Sequence, residues 1–210
     1  MTAERLWSRV ARIRPALIWT RGPGLIWTKT VIHVFQAPKG GVRQSTGTTP
    51  LAPLSQVTVS RASFSNLQDL LAFDDADELD ALASLLDQGE EGYLGYLDSE
   101  CVHRSWLAIG PTRVWEHWSQ TRFIPEGHGY VYYCETSPAA RGLGVFPQVL
   151  SRISAEHPDL TLTMAIDAAN ASSRRAAEKA GWTHVETVTY SIVAGRRTVE
   201  RVPVEPHNPD

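Results

Sequence analysis

The stretch from Tyr130 to Trp182 limits most sharply what this chain can become. A β-like run, Tyr130 to Thr136, leads into Ser137-Pro138-Ala139-Ala140-Arg141-Gly142-Leu143-Gly144, then a helical pattern from Val145 to Glu156 and a second β-like run from Leu160 to Ile166. Asn170 precedes another helical pattern, Ser172 to Ala180. Strand, glycine loop, helix, strand and helix in that order require a mixed α/β fold. A glycine loop between strand and helix also leaves backbone N–H groups unpaired at the positive end of a helix dipole, where phosphate binds. Gly142 and Gly144 remove side chains that would obstruct a ligand, and Arg141 adds charge. A plain strand-to-helix turn would use the same glycines, so the loop alone leaves both readings open.

The flanking chain supplies the rest of a sheet. Val57 to Arg61 alternates as a strand, and Asn66 to Leu86 repeats leucines at helical spacing, with Asp74 and Asp75 marking a break. Gly92 to Gly110 reads as two strands joined by Leu97-Asp98-Ser99-Glu100, a hairpin, and late β-rich runs follow at His184–Val193 and Thr198–Val204. The strands are mostly antiparallel. Upstream, Val31 to Phe35 is a β-like run, and Pro38 to Pro53 has the Gly, Thr, Ser and Pro content of a linker. We therefore divide the chain into a basic extension over 1–50 with a short helix and strand, a catalytic-type domain over 51–205, and a tail over 206–210.

The order and the motifs together resemble the GNAT superfamily of N-acetyltransferases. Its members show a strand, Pro-x-x-Arg-Gly-x-Gly, a helix, a strand, and Asn-x-x-(Ala/Ser) leading to Glu-Lys-x-Gly-(Phe/Trp). Pro138, Arg141, Gly142, Gly144, Asn170, Ser173, Glu178, Lys179, Gly181 and Trp182 match. The resemblance covers about residues 56 to 200 as an element order and 130 to 182 as a motif. It implies a central, mostly antiparallel twisted sheet with helices on both faces and a splayed central strand pair. It also implies acetyl-CoA as acyl donor and direct attack of a primary amine on the thioester, with no metal. By position, Cys134, Glu135 and Thr136 would line the pantetheine arm, Arg141, Gly142, Leu143, Gly144 and Val145 would hold the pyrophosphate, and Asn170 and Ser173 would complete the site. A backbone N–H near Cys134 would polarise the thioester carbonyl, and Glu135 is the candidate base.

Two positions depart from the family. Phe146-Pro147 follows the loop where a small residue is usual, and proline is tolerated in a first helical turn. Ala177 stands where many members carry a tyrosine that protonates the leaving thiolate. A thiol with a pKa of about 8.5 leaves without help, so activity survives this loss in principle. A non-catalytic protein of this fold, binding CoA or a partner, and an enzyme using a longer acyl-CoA or an acyl carrier protein are the alternatives. Simple alternation places Cys101, His103 and Ser105 on one face of the hairpin and Arg104 and Trp106 on the other.

Charge and composition exclude several classes. Residues 1–50 carry eight Lys and Arg against Glu4 alone, while the remainder carries twelve against twenty-two acidic residues. Such an arm suits anionic lipid, a partner, or its own body. The basic excess lies outside any reader motif, which argues against nucleic acid. Cys101 and Cys134 are too few and too far apart for a disulfide framework or a zinc site. Arginines interrupt the opening, so neither a signal peptide nor a membrane span is expected, and a cytoplasmic protein with surfaces for a homodimer fits.

Overall fold

The computed structural model describes residues 27–40, 57–116 and 120–204. The short helix expected in the basic extension, most of the linker and the tail lie outside them. Ten strands and three helices are described: β1 (Trp27–Gln36), β2 (Val57–Arg61), α1 (Ala76–Asp87), β3 (Glu91–Leu97), β4 (Glu100–Ile109), β5 (Thr112–Glu116), β6 (Gln120–Ile124), β7 (His128–Thr136), α2 (Val145–Glu156), β8 (Thr161–Asp167), α3 (Ala171–Lys179), β9 (Thr183–Val193) and β10 (Arg196–Pro203). A 3₁₀ turn, Leu67–Ala72, precedes α1. The break expected at Asp74 and Asp75 separates the two, and Asp75 caps α1 by accepting from the Glu78 N–H at 3.0 Å.

Eight strands form one sheet in the order β10-β9-β1-β8-β7-β4-β3-β2. Neighbours are antiparallel except β7 and β8. The short β3–β4 turn places Asp98 and Ser99 at φ of 52° and 70°, the left-handed pair a two-residue hairpin needs. Helices α2 and α3 cover one face, where Val149, Leu150, Ile153 and Trp182 meet Phe35, Leu107, Leu162 and Met164. A Cβ on Gly95 would come within 2.6 Å of Val145, so glycine there lets α2 lie close against β3. On the other face, the 3₁₀ turn and α1 bury Leu67, Leu70 and Leu82 against Leu94, Cys101 and Trp106. The β5–β6 hairpin adds Val114 and Ile124 over Ala108 and Tyr130.

Two expectations need correction, and one element went unread. The Val31–Phe35 run does not belong to a separate arm: β1 lies inside the sheet, hydrogen-bonded to β9 along Trp27–Gln36 and to β8 along Ile32–Gln36. Only long-range pairing decides that position, and no local sequence signal reports it. The β5–β6 hairpin was not read from sequence. Cys101 shares a face with Arg104 and Trp106, while His103 and Ser105 face α2, because β4 carries an extra residue at Val102 opposite β3, between the pairs Tyr96–Cys101 and Gly95–His103. One added residue reverses the alternation.

Candidate active site

The parallel ladder between β7 and β8 runs from His128–Thr161 to Val131–Met164 and ends there. Both strands continue, β7 to Thr136 and β8 to Asp167. Beyond the last pair, β8 remains bonded to β1 and β7 to β4, so the two strands part and leave a cleft edged by unpaired backbone. Residues 132–136, with Cys134, Glu135 and Thr136 among them, form the β7 edge of it.

The cleft begins at a kink. Tyr133 has φ of 56°, the left-handed region, in the middle of β7. Its register with β4 jumps here, from Tyr132 opposite Trp106 to Glu135 opposite Arg104. This bulge turns both Tyr132 and Tyr133 toward the α1 face, their rings 6.1 Å apart edge to face. Such a backbone costs roughly 1–3 kcal/mol for a bulky residue and persists only where its surroundings hold it. Arg104 does so. Its Nη1 donates to the Tyr133 carbonyl at 2.7 Å, and its guanidinium lies 4.6 Å from the Tyr133 ring centre. The same buried guanidinium pairs with Asp74 at 2.7 Å, Glu78 at 3.0 Å and Glu135 at 2.9 Å. An arginine inside the apolar run of β4 was the sequence signal for this cluster.

Past Thr136 the chain makes a 3₁₀ turn, Pro138–Ala140, and reaches α2 through Gly142 and Gly144 at φ of 82° and 81°. A side chain would be strained at either position. Space beyond the Gly142 Cα is open. Gly144 is the N-cap of α2 and supplies no side-chain cap, so the first-turn N–H groups face out of the helix end beside the cleft. Arg141 is exposed, and its Nε donates to the Thr136 carbonyl at 3.2 Å. Leu143 is exposed and Val145 buried. An open, uncapped, positively polarised helix end at the mouth of a cleft with free backbone edges fits a ligand with a phosphate head and an extended amide arm.

Other candidates have structural roles. Glu135 is tied to Arg104 and half exposed. The Asn170 side chain caps α3, accepting from the Ser173 N–H at 3.1 Å and the Ser172 hydroxyl at 3.0 Å. Ala177 is fully buried in the helix-side core. His103 has no exposure; its Nδ1 lies 2.7 Å from the Thr136 hydroxyl and its Nε2 2.8 Å from that of Ser105. Phe146 stacks on its ring at 5.1 Å, which gives the family departure at this position a packing role. Burial and the neighbouring Arg104 push the His103 pKa down to about 3. Burial likewise pushes the Cys134 thiol up to about 11. An imidazole of such low basicity makes a weak base, and a thiol so little ionised makes a poor nucleophile.

No protein-family model matches the chain, and no curated protein matches its sequence. Solved structures do. A GNAT-family acetyltransferase from Colwellia psychrerythraea aligns over 85% of this chain and 57% of its own, at 12% identity and a TM-score of 0.52. A protein assigned to the GNAT acetyltransferases from Novosphingobium aromaticivorans aligns over 83% of this chain and 68% of its own, at 15% identity and a TM-score of 0.51. The fold is that of the GNAT acetyltransferases. A conserved protein of unknown function from Staphylococcus epidermidis shares it, over 92% of this chain and 68% of its own, at 9% identity and a TM-score of 0.52. The chain thus spans little more than half the length of the Colwellia protein.

Proposed function

We propose that this protein is an N-acyltransferase that moves an acyl group, acetyl in the simplest case, from coenzyme A to a primary amine. The observation that carries the proposal is the parting of β7 and β8 after Val131 and Met164, beside the uncapped end of α2. In this reading, the backbone of Cys134, Glu135 and Thr136 pairs with the pantetheine arm. The loop from Arg141 to Val145 takes the pyrophosphate, and Asn170 and Ser173 border the arm from the other side. An amine attacks the thioester carbonyl directly; the C–N bond forms, the C–S bond breaks and the thiolate leaves. The protein contributes positioning and a backbone donor for the developing oxyanion. The neutral Cys134 thiol supports direct attack over an acyl-enzyme. The fully buried Ala177, with no acid at that position, favours one rival: a protein of this fold that binds CoA without turnover.

Calorimetric titration with acetyl-CoA, CoA and a longer acyl-CoA tests the donor site. Wild-type binding that is lost on replacing Gly142 and Gly144 with valine is the expected result. Absence of binding to all three refutes the proposal. Binding without turnover of any amine supports the rival.

A further inference from the structure

Transfer to an amine needs a group that removes the amine's proton, and the α1 side of β7 carries several titratable groups. Three of the carboxylates there, Asp74 from the turn before α1, Glu78 from α1 and Glu135 from β7, are paired with the one guanidinium of Arg104 from β4. The Tyr133 ring lies under that same guanidinium, and Tyr130, lower on β7, lies under Arg122 of β6. Glu90 differs. It stands just before β3, and among the described residues no Lys, Arg or His lies within ion-pair distance of it. Its Oε2 instead accepts a hydrogen bond from the Tyr132 hydroxyl.

Tyr132 is also the first residue of β7 past the end of the β7–β8 ladder, on the bulge, with its side chain on the face opposite α2. Its hydroxyl bonds Glu90, and the rings of Tyr130 and Tyr133, each 6.1 Å away, pack beside its own. A carboxylate without a cation, joined by one hydroxyl to the point where the strands part, is the arrangement of a proton relay.

We propose that Tyr132 and Glu90 form the proton-accepting pair of the transfer reaction. The Tyr132 oxygen takes the proton from the attacking amine while its own proton passes to the Glu90 carboxylate. The nitrogen lone pair so released forms the C–N bond, and the thioester sulfur leaves with the C–S electrons. Tyr132 is the catalytic member; Glu90 acts through it. The assignment rests on the acyl-transfer reading of the cleft. Burial raises the Glu90 carboxyl above its ordinary range, with the Tyr132 hydrogen bond opposing in part, and this brings a carboxylate base nearer to neutral pH.

The test uses the full chain with acetyl-CoA and a panel of small primary amines (glycine, ethanolamine, tyramine, spermidine), comparing wild type with Glu90→Gln, Glu90→Asp and Tyr132→Phe. Donor titration and thermal melts run alongside. Glu90→Gln and Tyr132→Phe should each lower kcat by about 100-fold or more. Both should leave donor affinity close to wild type and still melt cooperatively, and both should abolish the acidic limb of the pH–kcat profile, with Glu90→Asp restoring part of the rate and the limb. Glu90→Gln within threefold of wild type, or with the acidic limb intact, overturns the assignment. Should no amine in the panel be turned over, carbon NMR of ¹³C-carboxyl glutamate decides, with the Glu90 signal identified by its loss in Glu90→Gln. Titration above the ordinary carboxylate range, shifted in Tyr132→Phe, supports the pair; an ordinary titration overturns it. Wild-type protein that binds no acyl donor removes the acyl-transfer reading, and the pair with it.

Discussion

Replacing Arg104 with alanine perturbs the cleft at its support. The guanidinium is 6% exposed and holds two carboxylates that are themselves little exposed, Asp74 at 9% and Glu78 at 16%, together with the carbonyl of the strained Tyr133. Its third ionic partner, Glu135, is 41% exposed, and that pair is worth at most about 1 kcal/mol. Removing one member of a buried ion cluster costs about 3–5 kcal/mol, because the carboxylates left behind keep their desolvation penalty without its compensation. For a chain of this length each kcal/mol moves the melting temperature by roughly 2–4 °C, so Arg104→Ala should melt roughly 6–20 °C lower. Urea unfolding followed by circular dichroism and by fluorescence gives the free energy. Adding Asp74→Asn and Glu78→Gln to the variant should recover a large part of the loss, since they remove the orphaned charges. Arg104→Lys should resemble alanine more than wild type, because a single ammonium cannot serve three directions at once. A loss below about 1 kcal/mol for Arg104→Ala, or no recovery in the triple variant, would refute the reasoning.

Gly144→Val, at φ of 81°, should cost about 1–2 kcal/mol of stability and at least tenfold in acyl-CoA affinity, read by thermal melt and calorimetry. His103 is held neutral in the folded protein with its pKa at about 3, against 6.5 when exposed. The unfolded chain therefore binds a proton that the folded chain refuses, and stability falls as pH drops from about 6.5 toward 3, by up to ~1.4 kcal/mol per pH unit. His103→Asn should flatten that part of the pH–stability curve. Cys134, with its thiol pushed up to about 11, should react with iodoacetamide at pH 8 far more slowly than a free cysteine, because little of it is ionised, and Cys134→Ser should retain acyl transfer. Asn170→Ala removes the cap of α3 and should cost about 1 kcal/mol.

What was legible in the sequence was local. The glycines at 142 and 144, the cap at Asn170 and the leucine spacing of α1 each act within one turn of chain, so their residue types report their geometry directly. The helix over Val145–Glu156 falls where the pattern placed it. What was illegible depends on partners far along the chain. No residue in Trp27–Gln36 specifies insertion between β8 and β9. The bulge at Tyr133 uses a residue type that left-handed backbone disfavours, and it exists because Arg104, 29 positions earlier, bonds its carbonyl. The extra residue at Val102 moved His103 to the helix side, where it became a core residue, and no motif marks Glu90 as the partner of Tyr132.

These long-range features share a purpose in the fold. A parallel pair of strands closes unless something draws its members apart, since each unpaired backbone group along the edge has a partner within reach. Here β7 is bent away by the Tyr133 bulge, which the Arg104 cluster fixes to α1, while β8 beyond Met164 is held to β1 by pairs from Ala165–Val34 to Asp167–Ile32. The cleft therefore depends on two supports on opposite sides, one an ion cluster and the other the first described strand of the chain. The glycine loop takes its geometry from the positive φ of Gly142 and Gly144 instead. It follows that the phosphate-binding loop and the cleft are separable: weakening β1 or Arg104 should cost contacts along the acyl arm while leaving the helix end intact, whereas changes at Gly142 and Gly144 should do the reverse.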